Sequence, residues 1–65
     1  MEITKVEEMG YEVTVASTDE IDAISSAKAI EMATTRIEWL TGSAAVFKGF
    51  HRIRDNKIVV RLEVN

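Results

Sequence analysis

Hydrophobic and polar residues alternate most cleanly at the end of the chain. There Ile58, Val60, Leu62 and Val64 share one face while Val59, Arg61 and Glu63 share the other, the period of two expected of a strand with one side on a core. As the strongest strand pattern it is expected in the middle of a sheet. Tyr11, Val13 and Val15 alternate in the same way with Glu12 and Thr14. Ahead of them, Glu2 to Glu8 reads as a poorer strand, charged at Lys5, Glu7 and Glu8 and suited to a sheet edge, with Met9 and Gly10 as the turn. From Ala45 to Arg54 the alternation is broken by Gly49, which stands between Phe47 and Phe50. A bulge there would bring both rings toward the core. Asp55 and Asn56 then make a two-residue turn, as both types tolerate positive φ.

The stretch from Ser17 to Gly42 has the longer period of a helix. Ser17 and Glu20 stand at the S-x-x-E spacing of a capping box, and Gly42 follows the last apolar residues as a left-handed stop. At about 100° per residue, Ala23, Ala27, Ile30, Ala33, Ile37 and Leu40 form the predicted core stripe, with Ser26, Thr34 and Thr41 among them. Ile21, Met32 and Trp39 project the opposite way, interleaved with Lys28 and Arg36. The helix thus carries a second apolar ridge, and its five residues combine the aromatic, Met and Arg types that interfaces favour.

The expected order is strand, strand, helix, strand, strand. Two hairpins joined by a right-handed return give an α+β fold, a four-stranded antiparallel sheet of order 1-2-4-3 with one long helix on one face. Thr4, Glu12, Thr14, Val59, Arg61 and Glu63 would line the other face.

Composition alters this picture in one respect. The 65 residues, 46% hydrophobic and 29% charged, suit one domain over residues 1–65. A chain this short hides only about 60% of its unfolded surface and is marginal alone. Small domains often add disulfides, metals or partner subunits, and here cysteine is absent and His51 is the one histidine. Association is the remaining staple. No apolar run approaches the roughly 20 residues of a membrane span, and the acidic start lacks the regions of a signal peptide, so the chain reads as cytoplasmic with no membrane contact.

Charge is asymmetric. Residues 1–33 carry eight acidic and two basic side chains, and residues 34–65 carry six basic and three acidic, for a net charge of -3. Such a dipolar chain suits head-to-tail or symmetric self-contact. Lys48, Arg52, Arg54 and Lys57 gather with Phe50 and His51 on the second hairpin as a possible anionic-ligand patch. With one ring in the cluster and a negative total, nucleic acid is not the expected partner.

Catalytic chemistry finds little to work with. The three glycines are far apart and fit no phosphate loop, and Ser43, His51 and Asp55 make a triad only by residue type. No cofactor and no catalytic residue are expected.

Two resemblances add to this reading. Ala27-Lys28, Glu31-Met32-Ala33, Ile37, Asp55-Asn56-Lys57-Ile58-Val59 and Arg61-Leu62-Glu63-Val64 resemble the helix and final hairpin of dodecins. That family forms hollow shells that bind flavins, so the resemblance implies an oligomeric small-ligand protein. This chain departs from it in its extra first strand and in a tryptophan at a helix end rather than on a strand. The hairpin followed by Ser17-Thr18-Asp19-Glu20 and an alanine-rich helix is also similar to small phage inhibitors of host RNA polymerase. The expectation taken forward is a non-catalytic binding protein that forms a homo-oligomer or meets another protein through Ile21, Lys28, Met32, Arg36 and Trp39.

Overall fold

The computed structural model describes residues 1–17 and 23–64. They form β1 (Glu2–Lys5), β2 (Gly10–Ala16), α1 (Ser26–Thr41), β3 (Ala45–Arg54) and β4 (Lys57–Val64). The sheet order is β1-β2-β4-β3 with every neighbouring pair antiparallel, so β4 lies between β2 and β3 as its pattern requires. The α+β architecture is the expected one.

Register decides which residues share a face, because partners directly across an antiparallel pair project to the same side. Val13 stands opposite Val60 and Val15 opposite Ile58, while Leu62 pairs with Tyr11 and Phe47. With Ala29, Ala33 and Ile37 of the helix, these two β2 valines and Ile58, Val60 and Leu62 make an all-aliphatic core. On the other face Thr4 pairs with Glu12, Glu12 with Arg61, and Thr14 with Val59. That open face has the expected composition.

Four local features differ from the expectation. The helix begins at Ser26, not near Ser17: Ser25 is extended at φ -72° and ψ 144°, and its hydroxyl accepts from the Lys28 N–H at 3.1 Å. Most of the capping box lies outside the described residues, and residues 23–25 ahead of the helix are not helical. The buried stripe also turns toward Ala29, leaving Ala23, Ala27 and Leu40 exposed. Leu40 is close to the core direction but sits in the last turn and is 53% exposed. The first hairpin is shorter than its charge pattern suggested. β1 ends at Lys5, the Val6 N–H donates to the Gly10 carbonyl, and Gly10 opens β2 rather than the turn. Finally, Asp55 and Asn56 do form the β3–β4 turn, yet no described residue other than glycine has positive φ. A register shift between Arg52 and Arg54 accompanies this turn instead.

The helix stop is as expected. Gly42 adopts φ 70° and its N–H donates to the Glu38 carbonyl at 2.8 Å. The conformation is one only glycine takes without cost.

Urea denaturation checks this assignment. Ile37→Ala removes a fully buried side chain and is expected to cost about 3 kcal/mol, and Ser25→Ala about 1 kcal/mol through the lost cap. Leu40→Ala is expected to cost well under 1 kcal/mol, where a buried stripe position would cost several times more.

Candidate interaction surface

The outer flank of α1 faces the β1 edge of the sheet, where Met1 lies beside Met32 and Trp39. Met32, Arg36 and Trp39 recur at four and three residues, so they align along one side. Trp39 is 76% exposed and Met32 40% exposed. Together with Met1, Glu31 and Thr35 they line a shallow groove of about 350 Å³. Lys28 lies one turn earlier, its backbone held by the cap, and with Met32 it borders a second depression near the end of β2. Four of the five predicted ridge residues are thus placed along this flank, and Ile21 lies outside the described residues. Sequence reasoning did not anticipate Met1, because nothing local in the chain says that the first residue returns beside the helix.

The opposite flank faces β3. There the Ala45 N–H donates to Glu38 Oε2 at 2.9 Å, tying the last helical turn to the start of the strand. The predicted bulge is present, as a register shift between Phe47 and Gly49, where Gly49 has φ 156°. Phe47 is then opposite Leu62 and Phe50 opposite Val60, so both rings stand on the helix side of the sheet. They do not enter the core. Phe47 and Phe50 are 43% and 45% exposed, with ring centroids 6.3 Å apart, and make an apolar shelf on β3.

The predicted cationic patch does not assemble on one surface. Phe50 and Arg52 pair with Val60 and Ile58 and take the helix side, whereas His51 pairs with Val59 on the open side, and Arg54 pairs with Lys57. Lys48 Nζ meets Glu63 at 3.2 Å. The Arg52 guanidinium donates to the carbonyls of Asp55 and Ile24, each at 2.7 Å, and the Ile24 N–H donates back to Asp55 at 2.9 Å. Arg52 is therefore a clamp between the final turn and the entry to the helix. Its role was hidden in the sequence because both acceptors are backbone oxygens, one of them 28 residues away.

The three residue types of a hydrolytic triad are also separated. Ser43 precedes β3 and Asp55 follows it. A ten-residue strand, roughly 30 Å at 3.3 Å per residue, lies between them. Among the described residues no group of three or more His, Cys, Asp or Glu side chains is placed to hold a metal ion. No described helix is long and apolar enough to cross a membrane.

Comparison with protein-family models, with curated proteins and with solved structures finds no match to this chain.

The clamp has a measurable signature. Arg52→Ala is expected to lower stability by about 1–2 kcal/mol in urea unfolding, with Arg52→Lys recovering little because a single ammonium does not reproduce the guanidinium fork. Lys48→Ala, which breaks an exposed ion pair, is expected to change stability by less than about 0.5 kcal/mol.

Proposed function

We propose that this chain is a small, non-catalytic binding protein that self-associates through the outer flank of α1. The observation that carries this reading is the exposure of Trp39, three-quarters uncovered beside Met32, Arg36 and Met1. Aromatic side chains bury 150–250 Å² each. At about 25 cal/mol per Å², covering one contributes roughly 4 kcal/mol before the costs of association. Among the described residues the core is eight small and medium aliphatic side chains, which leaves a chain of this length with little stability in reserve. Association supplies what the core lacks.

A second reading rests on the same groove. The dodecin resemblance implies flavin-type binding without assigning residues to it, and in this chain a planar ring could stack on Trp39, with Arg36 beside it for an anionic tail. Quenching of flavin fluorescence on titration with protein, lost in Trp39→Ala, is the expected sign. Unquenched flavin at saturating protein rejects it.

Trp39 is the only tryptophan and reports directly on its own burial. Its emission is expected to shift to the blue as protein concentration rises, in step with an increase in mass by light scattering. Trp39→Ala is expected to weaken association by at least about 30-fold, the loss typical of a central interface residue. A single-chain mass at every concentration, with unshifted emission, contradicts self-association.

A further inference from the structure

Two apolar patches flank the helix on the same side of the sheet. One is the flank of Met1, Met32 and Trp39 above β1, and the other is the shelf of Phe47 and Phe50 on β3. β1 and β3 are also the two edges of the sheet, each with one neighbour among the described residues. The order β1-β2-β4-β3 with all pairs antiparallel makes β1 and β3 run in opposite directions. A second copy placed by simple translation would therefore set its β1 antiparallel to the first copy's β3 and continue the sheet, with both helices on one face.

Charge and length fit this placement. The β1 hairpin carries Glu2, Glu7 and Glu8 against Lys5, and β3 carries Lys48, Arg52 and Arg54 with no acid. Glu7 already meets Arg61 and Lys48 meets Glu63, which leaves Glu2 and Glu8 to face Arg52 and Arg54. A β3–β3 contact would set cations against cations. The two register shifts on β3, between Phe47 and Gly49 and between Arg52 and Arg54, leave a regular run over residues 49–52. Three residues of that run, Gly49, Phe50 and His51, can pair with Thr4, Ile3 and Glu2 of β1.

We propose that copies of this chain associate head to tail, β3 of one against β1 of the next, so that the Phe47–Phe50 shelf of one copy packs beneath the Met1–Met32–Trp39 flank of its neighbour. This deepens the self-association reading and rests on it. Keeping apolar faces together sets the parity, and pairing Phe50 with the apolar Ile3 of the next copy puts His51 across from its Glu2. A standard contact of about 800 Å² per partner would take nearly a fifth of the chain's 4362 Å² of accessible surface. The contact uses two different patches, so it is heterologous and builds rings or open filaments rather than a two-fold dimer.

Complementation by mixing tests the geometry. Trp39→Ala weakens one face and Phe50→Asp the other. Both sites are exposed, and circular dichroism with urea midpoints confirms that each variant is folded. Alone, Trp39→Ala is expected to associate at least about 30-fold more weakly than the parent, and Phe50→Asp at least about tenfold more weakly. An equimolar mixture is expected to form a discrete dimer containing one of each, because one intact face remains on either partner. The chain has no cysteine, so His51→Cys added to the Trp39→Ala chain and Glu2→Cys added to the Phe50→Asp chain are expected to form a disulfide in the mixture. If Phe50→Asp associates like the parent while Trp39→Ala does not, self-association stands and the head-to-tail arrangement is overturned. A mixture that forms no dimer, or a mixed dimer without the cross-link, overturns the arrangement too. A parent chain that is a monomer throughout removes both readings.

Discussion

An α-helix with its side chains is about 10–12 Å across and neighbouring strands are about 4.8 Å apart, so a single helix laid on a four-stranded sheet shelters about two of its strands. In this protein those strands are β2 and β4, which supply every buried strand side chain of the core. The outer strands are left as eaves. Ile3 packs only partly against the core, and Phe47 and Phe50 remain half exposed although register turns them toward the helix side. The same constraint accounts for the outer flank of the helix, whose residues have no second layer above them. Part of the exposed apolar surface is thus a result of architecture, on the outer flank of the helix and on β3.

The tie that holds the helix in that central position is made from backbone oxygens. At one end Arg52 joins the Asp55 and Ile24 carbonyls, and Ser17 donates its N–H to the Asn56 carbonyl at 2.9 Å. At the other, Glu38 accepts from Ala45 and Gly42 turns the chain into β3. Thr34 and Thr41 donate their hydroxyls to the carbonyls of Ile30 and Ile37, each at 2.7 Å, which lets polar side chains lie partly buried along the helix without unmet donors. Among the described residues no buried side-chain polar atom lacks a partner.

Much of this was readable from pattern. The alternations at Tyr11–Val15 and Ile58–Val64 located two strands and their inward faces, and a glycine between two phenylalanines marked the bulge. The helix was harder, for two physical reasons. A serine followed three residues later by glutamate is a purely local signature, and a second serine, Ser25, caps α1. The helix is also rich in alanine, so its apolar stripe is faint, and a modest rotation of that stripe about Ala33 and Ile37 brings in Ala29 and leaves Ala27 out. The outer ridge survived that error because Met32 and Trp39 are large and seven residues apart, a spacing that returns to nearly the same direction at any starting point. What pattern could not supply was contact across the fold: Met1 beside Trp39, and the carbonyls that occupy Arg52 and remove it from the apparent cationic patch.

The bulge at Gly49 governs sidedness. In an uninterrupted strand that kept Phe50 opposite Val60, Phe47 would fall across from Glu63 and emerge among the charges of the open face. The extra residue flips that parity, and Gly49 accepts the backbone angle that goes with it. One atom-sized permission, the missing Cβ, thus keeps two rings neighbours instead of strangers on opposite sides of a sheet.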